Sequence, residues 1–189
     1  MVIKEEKENF LDILIKSKDA IRNEDILLLK ELSDRTIHTA STIQDTDSVL
    51  LAVIIYSLSK ILERKQYRDM KGWKKFHDVF TLEIDRAVNY VQKDNQKEFV
   101  KSLERIRGSI SSISGDLRGC IEDVFRKAEI NKASKIYEHG ISLETTAKLL
   151  GITMWELAGY TAQKEVQDSN FIQTESVKQR IKQAMEMFV

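Results

Sequence analysis

Basic and aromatic residues alternate between residues 60 and 78, in the run KILERKQYRDMKGWKKFHD. Seven basic residues face three acidic ones there, which leaves four positive charges in excess. Cationic groups bind phosphate oxygens and aromatic rings stack on bases, so this composition is typical of a nucleic-acid surface. The same run also fits a solvated helix end whose aromatic rings point into a core. The basic residues expected to contact nucleic acid are Arg64, Lys65, Arg68, Lys71, Lys74 and Lys75.

A second candidate site combines a carboxylate with a histidine. Asp34, Arg35 and His38 share one side of a predicted helix, at spacings of three and four. A carboxylate four residues before a histidine can ligate a metal ion, but a dimetal site needs a repeated Glu-x-x-His motif that this sequence lacks. His77 and His139 lie in unrelated surroundings. We therefore favour an Asp34–His38 hydrogen bond with an Arg35 ion pair, and keep a helical-bundle enzyme or metal protein around His38 as a weaker alternative.

Residues 139–164 have the pattern of two helices joined by a sharp turn. Ala147, Gly151, Ile152, Thr153 and Leu157 follow the spacing Ala, three residues, Gly-Ile-Thr, three residues, Leu. Gly151 predicts the turn, because glycine adopts a left-handed conformation at little cost. A threonine followed three residues later by a glutamate is a capping box, so the second helix is predicted to begin just after Thr153. Ile152 and Leu157 are expected to pack under the turn.

This segment resembles the helix-turn-helix of prokaryotic DNA-binding regulators. Within that group it looks most like the short helical segment of small antitoxins that partner ribonuclease toxins. The resemblance is confined to residues 139–164. It implies that the second helix lies in a DNA major groove, with its first residues at base edges. The nucleic-acid-binding residues predicted in this segment are Thr153, Met154, Trp155, Gln163 and Lys164.

The second helix nevertheless lacks the side chains that read bases best. Arginine pairs with guanine, and Asn or Gln with adenine, whereas this helix offers mainly Thr153, Gln163 and Lys164. Two lysines face three glutamates between residues 140 and 167, although phosphate contacts need a positive surface. An exposed Trp155 would instead suit a protein interface. The alternatives are an antitoxin-type adaptor that binds a partner protein through the Trp155 face, and a purely structural unit.

Composition restricts the class of protein. The 189 residues include 30 basic and 30 acidic ones, so any anion must be bound by a local patch. The single cysteine, Cys120, excludes an intrachain disulfide and favours a cytoplasmic location with burial as an inert thiol. The first residues, MVIKEEKENF, do not resemble a signal peptide, and the longest apolar run, Val49 to Tyr56, is too short to cross a bilayer. No catalytic motif appears, so we expect neither an enzyme nor a cofactor or resident metal.

The remaining pattern predicts an all-α protein. The chain has no proline, and apolar residues recur at helical spacing along most of it. The run VLLAVIIYSLSKILER is apolar on nearly all sides and is predicted to be the central helix. Apolar periodicity from Phe99 to Val124 predicts a helix with a hinge near Gly115. We therefore expect a helical bundle over residues 1–115 and a helix-turn-helix module of three to four helices over 116–189, ending in a helix capped by Thr174.

These features give one leading function. The leading hypothesis is a small cytoplasmic regulator that binds nucleic acid, DNA in preference to RNA. The N-terminal bundle is expected to supply self-association as a homodimer, because two-fold operators favour two-fold proteins.

Overall fold

The computed structural model describes residues 4–43, 46–113 and 115–171, with side chains described for 8–41, 46–113 and 115–163. The described part is helical and contains no strand, so the predicted all-α class is confirmed. Short 3₁₀ helices cover Lys65–Asp69 and Ile110–Ser112. The α-helices are α1 Lys4–Asn23, α2 Ile26–Ile43, α3 Thr46–Glu63, α4 Trp73–Gln92, α5 Gln96–Ser109, α6 Asp116–Glu138, α7 Leu143–Leu150 and α8 Met154–Phe171. The helix predicted after Thr174 lies outside the described residues.

Helix α3 lies at the centre of the molecule, as its sequence predicts. Its apolar side chains cover the whole circumference, so a stable arrangement requires neighbours on every side. Helices α2, α5, α6 and α7 all pack against it. Leu51, Ile54, Ile55 and Leu58 are fully buried as a result.

The predicted hinge is present at Gly115. Helix α5 passes into the 3₁₀ helix Ile110–Ser112, Ile113 is extended, and α6 begins at Asp116. Gly115 has φ 77° and ψ −158°, a backbone conformation that is essentially restricted to glycine. Within the described residues, side chains on both sides of Gly115 share one hydrophobic cluster, which includes Leu103 and Leu117. The division into two domains at residue 115 stays a prediction.

Helix α6 packs against α3 and carries a buried lysine. The Lys132 Nζ lies 4.0 Å from the centre of the Tyr56 ring, which is a cation–π contact. Lys132 is 0% exposed, and its Nζ donates to Asp34 Oδ1 on α2 at 2.7 Å. Lys135, one turn along α6, donates to Asp34 Oδ2 at 2.6 Å. One carboxylate on α2 therefore accepts hydrogen bonds from two ammonium groups on α6, which are 98 and 101 residues further along the chain.

The buried ammonium makes stability depend on pH in the alkaline range. Burial lowers the pKa of Lys132 from 10.5 to about 8, against the opposing effect of Asp34. Between these two values the unfolded chain binds more protons than the folded chain, so this group makes the free energy of unfolding rise with pH. Relative to Lys132→Met, we expect the wild type to gain on the order of 2 kcal/mol between pH 8 and pH 10. Urea unfolding of both proteins at the two pH values measures the difference. Parallel pH profiles for the two proteins would contradict this assignment.

None of the described helices combines the length and the apolar character that a membrane span requires.

Candidate functional site

The segment from residue 140 to 160 follows its predicted local structure closely. The Ser142 Oγ accepts from the Thr145 backbone N–H at 3.1 Å and caps α7. Gly151 ends that helix with φ 66°, in the left-handed region that favours glycine. Ala147, Ile152 and Leu157 are buried around the turn. Helices α7 and α8 therefore meet at a corner that is fixed by both backbone and packing.

The start of α8 is held by a complete capping box. The Thr153 Oγ1 accepts from the Glu156 backbone N–H at 3.2 Å. The Glu156 carboxylate in turn accepts from the Thr153 backbone N–H at 3.0 Å and from its hydroxyl at 2.7 Å. These hydrogen bonds lower the pKa of Glu156 to about 2, and the one from the Thr153 hydroxyl has the largest effect. Arg126 on α6 adds an ion pair. Because Arg126 neutralises Glu156, this carboxylate adds no unbalanced negative charge to the start of α8.

A row of alternating charges connects α5, α6 and α8. Arg107 on α5 donates to the nearly buried Glu129 on α6 at 2.7 Å. Arg126 lies 3.8 Å from the other Glu129 oxygen and also pairs with Glu156. Burial nevertheless raises the pKa of Glu129, against the opposing effect of the two arginines. We call these four residues the charge row, and it fixes where the first turn of α8 lies on the bundle.

Two apolar side chains at the start of α8 point away from the core. Trp155 is 85% exposed and Met154 is 46% exposed, whereas Leu157 is fully buried. Single exposed apolar residues are common, but a tryptophan this exposed is unusual because its large ring gains much from burial. Gln163 is also exposed, and the side chain of Lys164 lies outside the described part of the chain.

The basic residues of the 60–78 run divide into two groups. Arg68 is engaged with Glu24, whose carboxylate accepts from it at 2.8 Å. Arg64 is half-buried and donates to the Lys60 carbonyl at 2.8 Å. The remaining members are exposed and make no ion pair with any residue whose side chain is described; they are Lys65, Lys71, Lys74 and Lys75. We call Lys71, Lys74 and Lys75 the lysine cluster.

The aromatic residues of the same run face the core. Tyr67 and Phe76 are buried, and Trp73 is half-buried against Phe76 at 6.3 Å between ring centres. His77 packs its ring on Phe80 at 4.9 Å. The aromatic residues of this run therefore point into the core, as the second interpretation of the sequence expects. Tyr67 and Phe76 offer the lysine cluster no ring on which a base could stack.

The structure brings only part of the basic run close to α8. Arg64, at the end of α3, lines the same cavity as Lys127 on α6 and Tyr160 on α8. The lysine cluster lies at the start of α4, which packs on α1 and α5. Sequence reasoning placed all these basic residues in one nucleic-acid surface, whereas the structure associates Arg64 with α8.

Asp34 and His38 have partners that sequence spacing does not indicate. Both Asp34 oxygens accept from lysines of α6, so this carboxylate is not available as a metal ligand. The ion pair expected for Arg35 is formed with Asp12 at 3.2 Å. The His38 ring lies against His139, with 5.4 Å between ring centres, although the sequence suggested unrelated surroundings. The described residues contain no cluster of three or more potential metal ligands.

Lys132 and the cavity beside Tyr160 are the features that sequence reasoning missed. A signal for the lysine was present, because Val124, Ala128, Lys132 and Ile136 recur on one side of α6 and only Lys132 is charged. A charge at such a position predicts a buried counter-charge. The cavity had no comparable signal, because its lining comes from three helices that are far apart in sequence.

No protein-family model, curated protein or solved structure matches this chain.

Proposed function

We propose that this chain is a small regulator of the antitoxin type, which binds a partner protein through Met154 and Trp155 at the start of α8. The observation that carries the proposal is the 85% exposure of Trp155 on a helix start that is held by a capping box, an ion pair and the buried Leu157. Tryptophan is among the residues that contribute most to protein interfaces, because a partner's pocket removes its large ring from water.

The rigidity of the helix start supports this role. The capping box, the Arg126–Glu156 ion pair and the buried Leu157 hold the first turn of α8 in one position. A partner that binds a preorganised side chain loses less conformational entropy than one that must order a flexible loop. Because Glu156 is already paired, covering Trp155 does not bury an isolated charge.

The resemblance of residues 139–164 to antitoxins gives the partner a class. In that group the short helical segment belongs to proteins that partner ribonuclease toxins. We therefore propose a ribonuclease toxin as the partner, bound at Trp155.

Affinity capture tests the proposal with matched variants. The wild type, Trp155→Ala and Leu27→Ala are used to capture proteins from the native cell lysate, and the captured protein is identified and then purified. Leu27 is the control because it is also highly exposed, at 78%, but lies on α2. We expect Trp155→Ala to weaken the purified complex at least about tenfold and Leu27→Ala to leave it unchanged. Equal affinities for the wild type and Trp155→Ala would exclude Trp155 as the anchor.

Nucleic-acid binding is the second candidate function, and the lysine cluster favours it. Its three ammonium groups are exposed and have no carboxylate partner among the described side chains, so they are available to phosphates. In this proposal α8 supplies further contacts through Thr153, Gln163 and Lys164, and a homodimer matches a two-fold operator.

Substitution of the lysine cluster has a predicted effect on salt dependence. We expect the triple change Lys71→Glu, Lys74→Glu and Lys75→Glu to abolish binding to a short DNA duplex. Neutral replacements by Gln should reduce the slope of log K against log salt by about 3, because each phosphate contact contributes about 0.9. Fluorescence anisotropy between 50 and 200 mM salt, roughly the range in which such contacts are lost, measures both effects.

A second set of lysines provides the control for net charge. Lys16, Lys93 and Lys97 are exposed on α1, at the end of α4 and on α5. Changing these three to Glu alters the net charge by the same amount at other places. If the two triple Glu variants lose DNA affinity equally, the lysine cluster is not a nucleic-acid site. An affinity for DNA that does not change with salt concentration would lead to the same conclusion.

A further inference from the structure

A cavity of about 390 Å³ lies between α3, α6 and α8. Small-molecule sites in proteins occupy roughly 300–1,000 Å³, so the volume suits a compact ligand. Residues of all three helices line it, and Tyr160 is the contribution of α8. The cavity is therefore closed on one side by the same helix that presents Trp155 one and a half turns earlier.

The walls of this cavity are apolar and aromatic. Val124, Ala128 and Ile130 of α6 line it together with the rings of Tyr56 and Tyr160. Two tyrosine rings and aliphatic carbons offer a flat, weakly polar surface, on which a planar aromatic ring can pack in an offset or edge-to-face arrangement.

The polar groups of the wall are only partly satisfied. The Asn131 Nδ2 donates to the Tyr160 hydroxyl at 3.3 Å. The Asn131 Oδ1 is buried and has no hydrogen-bond partner within the described part of the chain. Buried amide oxygens without a partner are rare in native proteins, so the Asn131 Oδ1 is a place where a hydrogen-bond donor of a ligand can be accepted.

Three cationic side chains line the cavity. Lys60 pairs with Glu63 at 3.1 Å, and Lys127 pairs with Asp123 at 2.7 Å. Arg64 has no carboxylate partner among the described side chains and uses one nitrogen to donate to the Lys60 carbonyl. Its guanidinium also lies over the Tyr67 ring, 5.8 Å from the ring centre. The Nε and Nη2 groups can still donate the two parallel hydrogen bonds that carboxylates and phosphates accept.

We propose that this cavity binds a small molecule that joins one flat aromatic ring system to one anionic group, a carboxylate or a phosphate. Arg64 holds the anionic group, while Lys60 and Lys127 stay paired with Glu63 and Asp123. The ring packs between Tyr56 and Tyr160.

The ligand has a regulatory consequence that rests on the proposed function. A molecule held between α3, α6 and Tyr160 stabilises α8 in the position described here. It thereby favours the conformation in which Trp155 is presented to a partner, because a ligand shifts a protein toward the state that it binds more tightly. The ligand site itself does not depend on the identity of the partner.

Calorimetric titration of the full chain, with no partner present, tests the site. The probes are indole-3-acetate and phenyl phosphate as aromatic anions, indole and phenol as neutral rings, and acetate and inorganic phosphate as simple anions. We expect at least one aromatic anion to bind about tenfold or more tightly than its neutral ring and its simple anion. Whether indole-3-acetate or phenyl phosphate binds more tightly distinguishes a carboxylate ligand from a phosphate ligand.

Three variants locate the binding. Arg64→Gln should remove the preference for the anion, and Tyr160→Leu should weaken the aromatic anions without changing the weak binding of acetate or phosphate. Arg118→Gln is the control, because Arg118 is exposed on α6 and pairs with Glu122 outside the cavity. Amide hydrogen exchange of residues 154–163 should slow when the aromatic anion is bound.

The outcomes separate the ligand site from the function proposed above. The site is overturned if no aromatic anion binds at millimolar concentration, if neutral rings bind equally well, or if Arg64→Gln binds like the wild type. The effector role is overturned if a saturating aromatic anion leaves the affinity for the purified partner unchanged. Loss of partner binding in Trp155→Ala, with probe binding retained, supports both proposals independently.

Discussion

Asp34→Ala is expected to lower the free energy of unfolding by about 3 kcal/mol at neutral pH. The Asp34 carboxylate accepts from Lys132 at 2.7 Å and from Lys135 at 2.6 Å. Among the described side chains, its removal leaves the fully buried Lys132 ammonium with the Tyr56 ring alone for compensation. This loss lies at the low end of the usual range for a broken buried pair, because Asp34 is half-exposed and water partly screens it.

Two further variants provide the controls: one removes the buried Lys132 charge together with Asp34, and the other breaks an exposed ion pair. Adding Lys132→Met to Asp34→Ala should restore most of the lost stability, because no buried charge then remains unpaired. Asp123→Ala removes a carboxylate from the exposed Lys127–Asp123 pair on α6 and should change stability by less than about 0.5 kcal/mol. Urea unfolding of all four proteins measures these differences. Similar losses for Asp34→Ala and Asp123→Ala would mean that Lys132 is not the buried partner described here.

Leu157→Ala is expected to lower the free energy of unfolding by about 3 kcal/mol, whereas Trp155→Ala should change it by less than about 0.5 kcal/mol. Leu157 is fully buried and fastens α8 to the hydrophobic cluster, so its truncation leaves a cavity under the α7–α8 corner. Trp155 lies two residues earlier on the same helix but loses almost no contacts when truncated, since it is 85% exposed.

The same two variants separate a binding surface from a packing surface. Trp155→Ala should lose the partner while it unfolds at the same urea concentration as the wild type. Leu157→Ala should show faster amide exchange in α8 and a lower unfolding midpoint. If Trp155→Ala destabilises the chain as strongly as Leu157→Ala, the tryptophan belongs to the core in solution and the proposed interface is wrong.

Local features of the fold follow from the sequence because short-range hydrogen bonds decide them. The left-handed Gly151 and the Thr153–Glu156 capping box each involve residues at most three apart, and both were predicted. The break at Gly115 was predicted because glycine inside a helix costs about 1 kcal/mol relative to alanine. Its observed backbone conformation is one that glycine adopts readily.

Long-range contacts could not be predicted in the same way. The Asp34–Lys132 pair joins residues 98 apart, and its formation depends on how α6 crosses α2 and α3. The His38–His139 contact and the cavity beside Tyr160 depend on the same packing. Apolar periodicity shows which side of a helix is buried, but it does not specify which helix covers that side.

The buried pair also constrains how this chain can change during evolution. Loss of the acid at position 34 alone, or of the base at position 132 alone, removes one member of a matched unit and lowers stability before any second change can compensate. Exchange of both for apolar residues of similar volume is tolerated, but only as a joint event. Descendants of this sequence should therefore keep the two positions together or replace them together, while the exposed surface around Trp155 carries no such constraint.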